Sequence, residues 1–186
     1  MLVNLKEILK IAEEKSFAVG SFNTPDYEAL EGIIAAAEEL KMPVIIQHAQ
    51  CHEGIIPLKE AAPLMLAAAK KADVPVCVHL DHGETLEYLK EALELGFTSI
   101  MYDGSTLPYD ENLENTIKAS GMAHAAGASI EAELGSMGRR ESGSGDRTGS
   151  EDESKIYTDP ILAKDFVAKT KLDALACSFG TTHGIY

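Results

Sequence analysis

The stretch VCVHLDHGET, from Val76 to Thr85, passes from β-branched and apolar residues directly into a His-x-Asp-His cluster and a glycine. A short apolar run that is bounded by a turn signal is typical of a fully buried strand. The stretch therefore predicts a buried strand that ends in ionisable side chains, namely His79, Asp81 and His82. The fold has to explain why these polar groups follow such a strand.

The same pattern recurs along the chain, as a short apolar run, a polar break and an amphipathic helix. Strands are predicted in FAVGSFN, PVIIQHA, PVCVHL, TSIMYDG, ASIEAEL and DALACSFG. Helices are predicted in TPDYEALEGIIAAAEELK, LKEAAPLMLAAAKKA, ETLEYLKEALELG, NLENTIKASGMAHAAG and DPILAKDFVAKT. Strands that alternate with helices, without a hairpin signal, predict a parallel sheet with right-handed crossovers.

Proline and glycine mark expected ends or irregularities in three of the predicted helices. Pro43 is expected to stop the first of them, and Gly96 is a plausible C-terminal cap of the third. Pro63 is expected to kink or delay the helix that contains it.

Polar residues fall at or just beyond the carboxyl ends of the predicted strands, and this position indicates the kind of sheet. In a (β/α)8 barrel all strand ends meet on one face, whereas an open sheet collects them mainly at one switch point. No glycine-rich phosphate fingerprint follows the first strand, so we favour an α/β fold of the TIM-barrel type. The polar residues concerned are Asn23, Gln47, His48, Asp81, His82, Asp103, Glu131, Glu133 and His183.

The predicted barrel is incomplete in this chain. A (β/α)8 barrel typically needs about 250 residues, whereas this chain has 186 and about six βα units. We therefore expect residues 1–186 to form a single TIM-barrel domain that lacks its C-terminal part.

Composition excludes several classes of function. A net charge of −14, a pI near 4.8 and the lack of a Lys/Arg run argue against binding to nucleic acid or to an anionic membrane. The sequence predicts neither a signal peptide nor a membrane span, so we expect a cytoplasmic protein. Cys51, Cys77 and Cys177 are an odd number without CxxC spacing, which predicts buried free thiols.

The cluster after the third predicted strand suits metal chemistry. A histidine at a strand end is a good zinc ligand, and a neighbouring carboxylate that projects to another side can transfer a proton. His82 would then bind a metal and Asp81 would do chemistry. The alternative is a hydrogen-bonded structural group. His79 lies within the apolar run and is predicted to be a packed, hydrogen-bonded core residue.

The fifth predicted strand carries two carboxylates on one face. Period-2 alternation directs Glu131 and Glu133 to the same side. Like charges inside a barrel repel unless a cation or hydrogen-bond donors offset them, and Asp103 at the end of the fourth strand could share such a cation with Glu133. The alternative is a pair of solvated carboxylates on an edge strand.

The segment 135–154 is rich in Gly, Ser and charge and is longer than the 2–6 residues typical of a βα connection. Its composition fits a lid that closes over a site and fits a disordered insertion equally well. Glu141 is one charge among several in this segment.

Together, these motifs resemble the class II, zinc-dependent ketose-bisphosphate aldolases of the fructose- or tagatose-bisphosphate aldolase family. VCVHLDHG is similar to the first signature of that family, IEAELGSMGRRE to the second, and SFGTTHGIY to the segment that bears another zinc histidine. SIMYDGS and YTDPILAKDF also match, so the resemblance runs over the whole chain.

The resemblance implies a role for each matching residue. His82 and His183 would bind the catalytic zinc, and Asp81 would be the acid/base that acts on the aldehyde oxygen. Asp103 and Glu133 would correspond to a second cation position, which a further divalent cation would occupy. Glu141 would remove the carbon-bound proton of dihydroxyacetone phosphate. Gly184 would lie near the phosphate and a monovalent cation, and we expect Asn23 to bind substrate.

The resemblance also implies the reaction, a reversible zinc-dependent cleavage of fructose- or tagatose-1,6-bisphosphate to dihydroxyacetone phosphate and glyceraldehyde 3-phosphate. We expect a homo-oligomer, either a dimer or a tetramer. In the family the third zinc histidine and the main phosphate-binding segments follow the position of Tyr186. His48 or His52 could act as a third ligand on geometry alone, but the family gives no support for this and we do not expect it. The alternatives are a non-catalytic subunit or truncated metal-binding remnant of the aldolase fold, and a zinc hydrolase barrel.

Overall fold

A computed structural model describes residues 1–135 and 157–179 of the chain. Strands and helices alternate along it, and every paired strand runs parallel to its neighbours. The elements are β1 (Leu2–Val3), α1 (Leu5–Lys15), β2 (Gly20–Asn23), α2 (Tyr27–Leu40), β3 (Val44–Ala49), a short 3-10 helix (Gln50–His52), α3 (Leu58–Lys71), β4 (Val76–Gly83), α4 (Leu86–Leu95), β5 (Ser99–Tyr102), α5 (Tyr109–Ala125), β6 (Ser129–Leu134), α6 (Pro160–Thr170) and β7 (Ala174–Cys177).

The sheet has the order β2-β3-β4-β5-β6-β7, so consecutive strands are neighbours throughout. This is the strand order of a barrel wall, and it confirms an incomplete TIM barrel with the predicted six strands. An additional strand, β1, pairs with the first residues of β4, before the pairing of β4 with β5 begins at His79. The single-domain assignment of residues 1–186 stays a prediction.

The two faces of the sheet are covered differently. One face, which includes Ile46, Val78 and Ile100, packs against α2, α3, α4 and α5 in the main hydrophobic core. On the other face, Ile45 and Cys77 pack against Leu5 and Ile8 of α1. Helix α1 thus covers the amino-terminal part of the inner face and leaves the carboxyl ends of the strands to polar residues.

Local sequence explains where most helices begin and end. Asn4 and Glu7 form a capping box at the start of α1, with both hydrogen bonds at 2.9 Å. Gly96 caps α4 with φ of 104°, as predicted. Helix α2 ends at Leu40, before Pro43, because Lys41 takes the left-handed conformation.

Two predictions from the sequence are wrong in part. Helix α3 begins at Leu58 and includes Pro63, so this proline does not delay the helix. Cys77 is buried, but Cys51 is exposed and Cys177 is partly exposed, so the expectation of buried thiols holds for Cys77 alone. The thiols of Cys77 and Cys177 are free. The helices within the described parts of the chain are each too short or too polar to cross a lipid bilayer.

Candidate metal and catalytic site

The carboxyl end of β4 is irregular, and this irregularity changes the direction of two neighbouring side chains, those of Asp81 and His82. The pairing of β4 with β5 shifts register between Leu80 and Gly83, and His82 has a left-handed φ of 45°. Bulges of this kind re-aim side chains and concentrate next to functional sites. Asp81 and His82 consequently face different partners, as the sequence predicts.

His82 faces β5. Its Nδ1 lies 2.8 Å from Oδ2 of Asp103, whose Oδ1 accepts hydrogen bonds from the hydroxyl and the backbone N–H of Ser105 at 2.6 and 3.1 Å. The hydrogen bond to Asp103 raises the pKa of His82 to about 9. Burial would raise the pKa of Asp103, but the hydrogen bonds from His82 and Ser105 outweigh it and lower that pKa.

Three side chains form a group suited to a metal ion. Ligand atoms of His82, Asp103 and Glu133 all lie within 4.8 Å of one another, and both carboxylates are buried. The Glu133 backbone is held in place by Asn112, whose amide donates to the Glu133 carbonyl oxygen at 3.0 Å. An imidazole and two carboxylates are a donor set that zinc accepts. The residues therefore fit a divalent cation.

This group differs in one respect from the predicted division of ligands. The resemblance assigns His82 to a catalytic zinc together with His183, and assigns Asp103 and Glu133 to a second cation. The structure brings His82 into one group with both carboxylates. His183 lies outside the described residues, as do Glu141 and Gly184.

Asp81 faces β3 and belongs to a polar chain on the inner face of the sheet. Gln47 Nε2 donates to Asp81 Oδ2 at 2.8 Å and to Asn23 Oδ1 at 3.3 Å, and Ser21 donates to Gln47 Oε1. The other oxygen of Asp81, Oδ1, lies 3.9 Å from His82 Nε2. Asn23, the expected substrate-binding residue, is thereby connected to the candidate acid/base through Gln47.

A second group of polar side chains lies next to the site, toward the amino-terminal ends of the strands. His79 Nδ1 is 2.8 Å from the Ser99 hydroxyl oxygen, and His79 Nε2 is 3.5 Å from Glu131. Burial lowers the pKa of His79 to about 3, so the ring is neutral, as expected for a packed core histidine. Burial, together with the charges of Asp81 and Glu133, raises the pKa of Glu131 to about 7. Glu131 thus faces His79, whereas Glu133 belongs to the metal-binding group.

His48 and His52 do not join this group. His48 Nε2 lies 3.2 Å from the hydroxyl of Tyr88 on α4, and that hydroxyl donates to Glu53 at 2.6 Å. His52 stacks edge-on against His48, with ring centroids 6.3 Å apart. Because His48 follows Gln47 on β3, it takes the opposite face of the sheet. The structure therefore does not support either histidine as a third ligand of a metal ion bound by His82.

The contact of Gln47 with Asp81 was not predicted from the sequence, in which Gln47 is only one of several polar residues at strand ends. Its contact with Asp81 depends on the pairing of β3 with β4, in which Gln47 lies beside His79 and Ala49 beside Asp81. A signal was present, because alternation along VIIQHA places Gln47 on the face opposite to Val44 and Ile46.

A parallel barrel wall whose strand ends bring together an imidazole and several carboxylates defines a barrel-type protein with a candidate metal site. Comparison with known proteins narrows this class, because the sequence profile described as Fructose-bisphosphate aldolase class-II matches residues 3–186. The chain belongs to the class II fructose-bisphosphate aldolase family.

Individual relatives support the assignment. The chain is 41% identical to a fructose-bisphosphate aldolase of Giardia intestinalis and 40% identical to one of Geobacillus stearothermophilus, in each case over its whole length. Among solved structures it is similar to the YdjI aldolase of Escherichia coli K12, with a TM-score of 0.86, 35% identity and coverage of the whole chain. The chain spans 55% and 63% of the two sequence relatives and 63% of the YdjI chain.

Proposed function

We propose that this protein is a zinc-dependent aldolase that reversibly cleaves a ketose 1,6-bisphosphate, either fructose- or tagatose-1,6-bisphosphate. The products are dihydroxyacetone phosphate and glyceraldehyde 3-phosphate. The observation that carries the proposal is the group of His82, Asp103 and Glu133 beside Asp81, at the strand ends of a chain that belongs to the class II aldolase family.

His82 would hold the catalytic zinc together with His183, while Asp103 and Glu133 lie close enough to stabilise its charge or to hold a second cation. A bound zinc ion supplies Lewis-acid polarisation of the substrate carbonyl, which makes the adjacent carbon-bound proton acidic. The hydrogen bond between His82 and Asp103 holds the imidazole ring in one orientation.

Two carboxylates would divide the proton transfers between them. Asp81 would remove the proton of the C4 hydroxyl during cleavage and return it during synthesis. Glu141 would exchange the carbon-bound proton of dihydroxyacetone phosphate. The position of Asp81 supports its role, because Gln47 anchors one carboxylate oxygen and the other lies beside His82. General acid–base catalysis of this kind contributes roughly 100- to 10,000-fold.

Gly184 and Asn23 would bind the substrate, and a monovalent cation near Gly184 would help to hold its phosphate. The substrate is a small sugar phosphate, and we expect neither nucleic acid nor membrane as a partner. We further propose a cytoplasmic homo-oligomer with a role in carbohydrate metabolism such as glycolysis.

Cleavage assays with and without a chelator test this function. We expect the protein to release dihydroxyacetone phosphate from fructose- or tagatose-1,6-bisphosphate, to lose this activity with the chelator and to regain it with zinc. Zinc binding without cleavage of either substrate would favour the alternative, a non-catalytic metal-binding member of the fold. Cleavage that persists in the chelator would contradict the zinc dependence.

A further inference from the structure

The side chain of Gln47 joins Asp81 on β4 to Ser21 and Asn23 on β2 through hydrogen bonds. Its amide nitrogen donates to Asp81 Oδ2 at 2.8 Å, while its amide oxygen accepts from Ser21. We infer that Gln47 is a positioning residue that anchors the Asp81 carboxylate, so that Asp81 transfers protons instead of binding the metal ion. This inference rests on the proposed acid/base role of Asp81.

The surroundings define which way the Gln47 amide points. Two oxygen acceptors, Asp81 Oδ2 and Asn23 Oδ1, lie 2.8 and 3.3 Å from its nitrogen, and the Ser21 hydroxyl meets its oxygen. A reversed amide would put its oxygen against a carboxylate oxygen. Only the observed orientation lets Gln47 donate to Asp81, and hydrogen bonds to charged groups are among the stronger ones in proteins.

The anchor matters because Asp81 lies close to a metal-binding group. Its second oxygen, Oδ1, is 3.9 Å from His82 Nε2, and its side chain is 17% exposed. A carboxylate that is free to turn is a good ligand for the same divalent cations that His82 and Asp103 suit. A metal-bound carboxylate is a poor base, because the cation competes with the proton for its oxygen. Gln47 therefore keeps Asp81 available for proton transfer.

Two variants test the anchor. Gln47→Met keeps the length of the side chain and removes the amide, and Gln47→Glu keeps the size and an oxygen for Ser21 while replacing the donor. The matched control is Gln50→Met, because the amide oxygen of Gln50 accepts from the backbone N–H of Glu84 at 2.8 Å. Unfolding midpoints of all variants show whether each protein is folded.

The kinetic result separates anchoring from a general structural role. We expect Gln47→Met and Gln47→Glu to lower kcat for cleavage about 10-fold, the size expected for one lost charge-assisted hydrogen bond. Solvent-deuterium exchange into dihydroxyacetone phosphate, which does not need Asp81, should change less than about twofold. In an Asp81→Ala background the Gln47→Met substitution should lower the residual cleavage rate by less than about twofold.

A readout without turnover comes from the metal itself. In protein loaded with cobalt(II), we expect Gln47→Met to change the visible absorption spectrum as the Asp81 carboxylate joins the ligands, and Gln50→Met to leave it unchanged. Zinc should bind Gln47→Met at least as tightly as the unsubstituted protein.

Several outcomes would overturn the inference: an unchanged cobalt spectrum in Gln47→Met, weaker zinc binding, or an equal fall in cleavage with and without Asp81. Normal cleavage by Gln47→Met would overturn the role of Gln47 alone. Absence of cleavage by the unsubstituted protein would instead overturn the proposed function.

Discussion

Asp81 and His82 are neighbours in the chain, yet they face different strands. His82 contacts Asp103 on β5, and Asp81 contacts Gln47 on β3. In a regular strand, neighbouring side chains point to opposite faces of the sheet and cannot both reach one site. The left-handed φ of His82 breaks this alternation, so that both side chains lie at the same strand end but contact different neighbours. One short irregularity therefore lets a metal ligand and a candidate acid/base share the same strand end.

Replacement of Asp81 should separate metal binding from catalysis. We expect Asp81→Ala to retain zinc and to lose carbon–carbon cleavage by roughly 100-fold or more, because it removes a proton-transfer group and leaves His82 in place. Metal analysis of the purified variant and a cleavage assay check this. Loss of the zinc from Asp81→Ala would make Asp81 a structural or ligating residue instead.

Glu141 is proposed for the other proton transfer, which needs no aldehyde. We expect Glu141→Ala to slow solvent-deuterium exchange into dihydroxyacetone phosphate strongly, whereas Asp81→Ala should slow it much less. Zinc should stay bound in both variants, because neither residue is proposed as a catalytic-zinc ligand. Nuclear magnetic resonance of the exchanging carbon-bound proton measures the rate, and unchanged exchange in Glu141→Ala would contradict the assignment.

The bulge in β4 depends on a close approach at Gly83. A Cβ at this position would lie 2.8 Å from the Met101 carbonyl oxygen on β5 and would collide with the Leu89 side chain on α4. We expect Gly83→Ala to lower the free energy of unfolding by about 1–3 kcal/mol, as overpacking does. It should also weaken zinc binding, because the bulge that orients His82 must shift.

Gly54→Ala is the matched control for this substitution, since among the described residues other than its chain neighbours no atom lies within 4 Å of a Cβ built there. Denaturant unfolding and calorimetric zinc titration compare the two variants. Equal stability and equal zinc affinity for Gly83→Ala and Gly54→Ala would show that the bulge does not require glycine.

Asp173, which precedes β7, joins three other elements through a largely buried carboxylate. Its side chain is 7% exposed and lies 3.0 Å from His124 Nε2 on α5 and 3.4 Å from Lys6 Nζ on α1. It also accepts from the Ile130 backbone N–H of β6 at 3.1 Å. Burial would raise the pKa of Asp173, but these donors outweigh it and lower that pKa.

The sign of this pKa shift predicts a pH dependence. Because folding lowers the pKa of Asp173, its stabilisation is complete above the unfolded value of about 4 and is lost as the pH falls through the lower folded value. We expect Asp173→Asn to lower the free energy of unfolding by about 1–3 kcal/mol near pH 6 and by less near pH 3. Urea unfolding near pH 6 and near pH 3 measures the two losses of free energy, with Asp110→Asn as an exposed control. A loss that is equal at both pH values would contradict the linkage.

The strand order of the whole molecule could be predicted from the sequence, because each βα unit carries its own apolar run, polar break and helical periodicity. The two-residue strand β1 could not, since it is too short for any pattern and forms only against β4. The same limit applies to the site. His82, Asp103 and Glu133 are visible as polar residues at strand ends, but the contact of Gln47 with Asp81 requires the register of β3 against β4.

The exposure of Cys51 has a similar physical reason. It lies in the short 3-10 helix after β3, where the chain leaves the sheet, and no periodic pattern extends across that turn. Buried positions are therefore predictable within strands and helices, and much less so in the connections between them.

Metal content and cleavage in a His82→Ala, His183→Ala double variant test the account most directly, because both residues are proposed to hold the zinc that the reaction needs. We expect the double variant to lose zinc and cleavage together, and each single variant to show a partial loss of both. A double variant that keeps full zinc occupancy would contradict the assignment of the metal site, and one that also keeps its cleavage rate would contradict the proposed mechanism.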